Sequence, residues 1–121
     1  MNTVDFLRGY HLMIQSRISL TNELFLYTCM FIYVIGPYTH GPIKIGFTKD
    51  LHRRLKGIQT GHPEPLKIHY SVEVPDNQTR TIESIIHKEN KFQRTSGEWF
   101  NLSISEGIQE VQHAVIRYLK E

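Results

Sequence analysis

Cysteine is nearly absent from this sequence: Cys29 stands alone among 121 residues. That count excludes an intramolecular disulfide and a thiolate zinc cluster. Cys29 lies in an apolar run, and a buried structural thiol is its expected state. Long hydrophobic runs are missing too. The longest, 24–36, is broken by Thr28 and falls well short of the roughly 20 apolar residues that a membrane helix needs. The N-terminus carries Asp5 and lacks the basic-then-apolar layout of a secretory signal, so a cytoplasmic location is expected and no membrane partner. The seven histidines show no His-x-x-x-His or similar spacing, which disfavours a zinc hydrolase. Internal repeats and low-complexity segments are absent as well.

What is present fits one small domain. A hydrophobic fraction of 40% supplies a single modest core, and 21% charged residues is ordinary for a soluble protein. The formal net charge of +2 is too small to argue for any partner by itself. Its distribution says more. Between residues 40 and 60 five cations (Lys44, Lys49, Arg53, Arg54 and Lys56) face one acid, Asp50. A local basic patch on a near-neutral chain is the footprint of phosphate binding, with a merely solvated helix face as the plainer reading.

The chain is organised around 31–55, which reads as a β-hairpin feeding a basic helix. Residues 31–35 are an unbroken β-branched and aromatic run, as in a strand buried on both faces. Gly36, Pro37, His40, Gly41 and Pro42 supply turn chemistry. A second strand over 43–47 sets Lys44 and Gly46 on one face and Ile43, Ile45 and Phe47 on the other. Thr48 is placed to cap a helix over 49–59, with Asp50 in its first turn. Leu51, Leu55 and Ile58 form that helix's core stripe. At roughly 100° per residue, Arg54 falls about 60° from Leu51, whereas Arg53 points nearly the opposite way. A partly inward Arg54 needs an anion, either a phosphate or an internal carboxylate.

Residues 60–65 form a loop. The alternation Leu66, Ile68, Tyr70, Val72, Val74 predicts a third strand with one buried and one wetter face. A turn at 75–77 leads into a helix over 79–92 with Ile82, Ile85, Ile86 and Phe92 on its core side. Glu83 and His87, four residues apart, share a flank of that stripe, and Asn90 continues it. A glutamate beside a core calls for a partner. Trp99 and Phe100 read as core residues on an extended segment. Ser103 and Glu106 have capping-box spacing for a last helix whose apolar face is Ile108, Val111, Val115, Tyr118 and Leu119. Before residue 30, Leu7, His11, Ile14 and Ile18 fall at helical spacing, interrupted by Gly9.

Phe31-Ile32-Tyr33, Lys44-Ile45-Gly46, Arg54 on the following helix and Gly97-Glu98-Trp99-Phe100 occur in the order and spacing of a known family. The chain resembles a GIY-YIG nuclease domain, and specifically short viral and bacterial members with IKIG and GEWF motifs. The resemblance covers about 30–100. It implies an α/β (α+β) fold with a small central antiparallel three-stranded sheet flanked by helices. Residues 1–29 would then be an N-terminal extension, helical or partly disordered, before a domain at 30–121; if the source is viral, the location would be inside a host cell.

The resemblance also implies a metal-dependent DNA endonuclease. Glu83 matches the position of the metal ligand, and a single carboxylate suffices for Mg²⁺ or Mn²⁺, which keep most of their waters. Arg54 would grip the phosphate and Tyr33 would orient or deprotonate the attacking water. A free tyrosine has a pKa of about 10, and Lys44 is the cation expected to help it. His87 would contact phosphate or the metal's water shell, or else serve as a structural histidine. Lys49, Arg53 and Lys56 would contact DNA, and Asn101 is the nearest later asparagine. The chain departs from the family at Phe31 for glycine, Lys44 for tyrosine and Ile58 for a histidine. The alternative expectation is therefore a catalytically weak or inactive nucleic-acid-binding module of the same fold; a third is a small structural domain in which Arg54 pairs with Glu83. A small nuclease that cuts both strands gains from acting as a homodimer.

Overall fold

The computed structural model describes residues 29–120. The extension expected at 1–29 lies outside them apart from Cys29. Strand β1 (Cys29–Pro37) and β2 (Ile43–Thr48) form the hairpin, with Tyr33 opposite Gly46 and Ile35 opposite Lys44. Helix α1 (Leu51–Thr60) follows, then β3 (Leu66–Pro75), α2 (Asp76–Glu89), β4 (Arg94–Ser96), β5 (Trp99–Phe100) and α3 (Ile104–Lys120). Every pairing is antiparallel, in the spatial order β3-β1-β2-β5-β4. The α+β fold is as expected, but among the described residues the sheet has five strands, not three. The added strands span 3 and 2 residues, too short for alternation to mark them. They exist because β5 pairs with Ile43 and Lys44 of β2.

The sheet is covered on both faces, and β1 is buried on both, as its unbroken apolar run requires. On one face Ile32, Val34, Ile43, Ile45, Val72 and Val74 pack with Ile82 and Ile86 of α2, Val111 and Val115 of α3, and Phe100. The other face holds a smaller cluster of Tyr33, Ile35 and Leu66 under the half-buried Leu51, Leu55 and Ile58 of α1. No residue of α1 is fully buried, so this helix rests lightly on the sheet. Cys29 is half-buried. Burial, then the hydrogen bond and negative charge of Glu73, push its thiol up to about 11, which leaves it protonated and unreactive.

Four local expectations are corrected. Strand β3 does not keep one buried face, because Val34 pairs with Tyr70 while Ile35 pairs with Ile68, leaving His69 as a bulge. Ile68 therefore joins the α1 side and Tyr70 the other. His69 Nε2 donates to the Pro37 carbonyl (2.6 Å) across this irregularity. The cap of α1 is Asp50, not Thr48: its carboxylate accepts from the Arg53 N–H (3.1 Å), and Thr48 instead bonds the Asp50 backbone. Helix α2 starts and ends three residues earlier than periodicity predicts. Buried Asn90 stops it, donating from Nδ2 to the Ile86 carbonyl (2.9 Å) and to Glu110 of α3 (3.3 Å). Phe92 consequently lies beyond the helix and is 85% exposed instead of packing in the core.

The capping box of α3 forms as its spacing predicts. Ser103 Oγ accepts from the Glu106 N–H (3.0 Å), and Glu106 Oε1 accepts from the Ser103 N–H (2.9 Å). Arg117 and Glu89 tie α3 to α2 at 2.6 Å.

Candidate functional site

The site sits where β2 outruns β5. Pairing of β5 stops at Lys44, and the outer edge of β2 beyond that point meets other partners. The Ile45 N–H donates to the Glu98 carbonyl (3.1 Å), while His87 Nε2 of α2 donates to the Ile45 carbonyl (3.1 Å). The His87 ring also stands edge-on to Phe100, with centroids 5.0 Å apart. These contacts give His87 a structural task, clamping α2 to the sheet edge and so placing Glu83 one turn earlier.

Tyr33, Lys44 and Gly46 share the α1-facing side of the hairpin, in the register that alternation predicts. Glu98 joins them. Tyr33 Oη donates to Glu98 Oε1 (3.2 Å), and Lys44 Nζ lies 3.6 Å from the same oxygen. Lys44 also lies over the Trp99 ring at 5.6 Å, and His62 stacks on Trp99 at 5.3 Å. Glycine is required at 46: a Cβ there would come within 2.5 Å of Tyr33 Oη and would also strike Glu98 Oε1. Lys44 is thus not directly opposite Tyr33; it reaches the tyrosine through Glu98.

Beside this cluster an open groove of about 550 Å³ is lined by Lys44, Thr48, Lys49, Asp50, Arg53, Arg54, Gly57 and Ile58. Four of these are cations, and the one acid, Asp50, is already engaged as the α1 cap. Arg54 is exposed instead of partly inward, and Arg53 lines the same groove instead of pointing away from it. The reason is that α1 sinks only its leucine edge into the sheet, leaving both arginines at the rim. Among the described residues no ion pair joins Arg54 to Glu83, so the pairing that the third reading required is not made. Lys56 is exposed and does not line the groove. Asn101 is exposed at the β5–α3 junction, where its N–H donates to the Gln93 carbonyl (2.6 Å).

The sequence of the T5orf172 domain matches residues 30–118. The chain belongs to that family. No curated protein matches the chain, and no solved structure does. The T5orf172 domain is found in phage and bacterial nuclease-like proteins. No helix among the described residues of this T5orf172 domain is long and apolar enough to cross a membrane.

Two groups in the T5orf172 site are electrostatically displaced. Burial, and next the neighbouring Glu98 charge, push the Glu83 carboxyl up to about 7, against the pull of Arg80, Lys44 and Arg54. Glu83 Oε2 is buried with no hydrogen-bond partner among the described residues. A buried carboxylate oxygen left unmatched in this way is a strong demand for a cation or a proton. Burial likewise raises the Tyr33 phenol well above the usual tyrosine range, and the Glu98 charge and hydrogen bond add to it while Arg54 opposes. Tyr33 is therefore held as a protonated donor to Glu98. Among the described residues no cluster of three or more His, Cys, Asp or Glu side chains could enclose a metal. The acid pair Glu83 and Glu98 is what the site offers. Sequence reasoning gave Glu98 no chemical role; its place in the Gly97-Glu98-Trp99-Phe100 motif was the available signal.

Proposed function

We propose that this T5orf172 domain is a metal-dependent DNA endonuclease of the GIY-YIG type, hydrolysing phosphodiester bonds. The observation that carries the reading is the buried Glu83 oxygen, unpartnered among the described residues and close enough to the cationic groove for Lys44 and Arg54 to act on its charge. Glu83 fits a divalent cation: it is a hard oxygen donor lacking a partner, in a setting that destabilises its bare charge. Mg²⁺ or Mn²⁺ on Glu83 would supply charge neutralisation at a phosphate oxygen and at the leaving group.

The chain's own residues provide the rest. Arg54 and Arg53 present guanidinium forks at the groove rim, where a phosphodiester can be held by paired N–H donors. Lys49 adds a mobile charge that favours backbone binding without sequence readout. Tyr33, on the same face of the hairpin as the groove-lining Lys44, orients the attacking water. Ile58 in the groove wall offers no proton, so proton movement falls to the Tyr33 side of the site. Electrostatic positioning of this kind is commonly the largest catalytic term.

The decisive experiment incubates the protein with supercoiled plasmid and with labelled single-stranded and branched DNA, in Mg²⁺, Mn²⁺ or EDTA. Cleavage is expected with either metal, none in EDTA, and none for Glu83→Ala under any condition. Folded wild-type protein that binds these DNAs without cutting any of them would replace this reading with that of a nucleic-acid-binding module.

A further inference from the structure

Among the described residues Glu98 is the charged group that holds both Tyr33 and Lys44. The arrangement is built into the fold. The Ile45 N–H fixes the Glu98 backbone (3.1 Å), and Gly46 leaves open the space in which the two side chains meet. The Lys44 ammonium, on the same carboxylate oxygen, sets which oxygen faces the phenol. Tyr33 is 0% exposed, so its ring cannot turn to find another partner.

A phenol has one proton to donate and an oxygen that accepts. Tyr33 is closed to water as it stands, so a water reaches Oη only when bound DNA opens the site, and with the Tyr33 proton directed at Glu98 it meets the acceptor side. Burial and the adjacent Glu98 charge resist a lasting tyrosinate. Tyr33 can thus take a proton from water only by handing its own onward.

Resting on the nuclease reading above, we propose that Glu98 is the positioning residue for Tyr33 and the acceptor of its proton. As the water proton moves to Tyr33 Oη, the Tyr33 proton moves to Glu98 Oε1. The freed electron pair on the water oxygen forms the new bond to phosphorus, and the bond to the leaving oxygen breaks with its pair. The leaving oxygen takes a proton from solvent, and Glu98 afterwards returns its own to solvent, so one water is consumed per bond cut.

The test compares wild type, Glu98→Gln, Tyr33→Phe and the double variant on cleaved DNA with Mn²⁺. Glutamine keeps the shape and an acceptor oxygen but cannot hold the transferred proton. Glu98→Gln is expected to lower kcat by about 100-fold, the usual scale of a proton-transfer group, with KM and the Mn²⁺ requirement unchanged. Added to Tyr33→Phe it should cost nothing further, because both act in one unit. Full multiplication of the two losses, or a loss under about threefold in Glu98→Gln alone, would overturn the inference while leaving the nuclease intact. Should wild type cut no DNA, the nuclease reading fails separately. The Tyr33 hydroxyl proton, followed by NMR, then decides on positioning: a downfield, slowly exchanging resonance that moves upfield in Glu98→Gln supports it, and an unchanged one refutes it.

Discussion

Gly46→Ala isolates the packing of the site from its chemistry. A new methyl would sit 2.5 Å from Tyr33 Oη and 2.8 Å from Tyr33 Cζ, distances real Cβ atoms essentially never show. Glu98 must swing out, abandoning Tyr33 and Lys44, and the fully buried tyrosine must shift within its packing. Overpacking costs about 1–3 kcal/mol, and a hydrogen bond to a charged acceptor contributes about 1.5–3 kcal/mol. Against these, replacing a strand glycine recovers about 0.5–1 kcal/mol of chain entropy. The net loss is about 1.5–5.5 kcal/mol. Gly57→Ala is the matched control, because nothing lies within 4 Å of a Cβ at that position. In mid-helix it should stabilise by about 0.5–1 kcal/mol. Urea unfolding followed by the lone tryptophan, Trp99, reads both. Equal stability of Gly46→Ala and wild type would refute the close contact between Gly46, Tyr33 and Glu98.

Glu83 predicts a pH dependence. Its carboxyl rises from 4.5 unfolded to about 7 folded, so the folded state binds more protons between those values and metal-free stability falls as pH climbs from 4.5 through 7. Discounted for partial exposure, the loss is about 1–2 kcal/mol, and Glu83→Gln should abolish the slope and be the more stable protein at pH 8 in urea unfolding. Adding Mn²⁺ at pH 8 should raise the Tm of wild type but not of Glu83→Gln, with the gain fading below pH 7 as the carboxyl takes up its proton. Arg54→Ala should weaken DNA binding at every sequence tested and reduce the slope of log K against log salt by about 1; an unchanged slope in fluorescence anisotropy would remove Arg54 from the phosphate contacts. Phe92→Ser should alter stability by less than about 0.5 kcal/mol, whereas Ile86→Ala should cost about 2–5 kcal/mol; comparable losses from the two in urea unfolding would restore Phe92 to the core.

Much of this protein was legible in the linear chain. The β1–β2 hairpin, the faces of β2, the capping box at Ser103 and Glu106 and the grouping of cations near α1 all follow from neighbours a few residues apart. Local sterics and period set such features, so local sequence carries them. The end of α2 was not legible. Asn90 stops that helix partly through Glu110, which is remote in sequence, and periodicity alone runs on to Phe92. The bulge at His69 was equally hidden, because a polar residue within an alternating strand gives no sign that the pairing slips there.

The sequence by itself determined which residue types were available for phosphate chemistry and on which elements they ride. Tertiary structure alone decided who meets whom. It brought Glu98 to Tyr33 across 65 positions of chain, placed Lys44 on the same carboxylate, and left Glu83 with a buried oxygen unmatched. The physical reason is that proton affinity and hydrogen bonding depend on burial and on charges a few ångströms away. Those distances are set by the pairing of β5 with β2 and by the seating of α2 on the sheet edge, neither of which any short stretch of sequence contains.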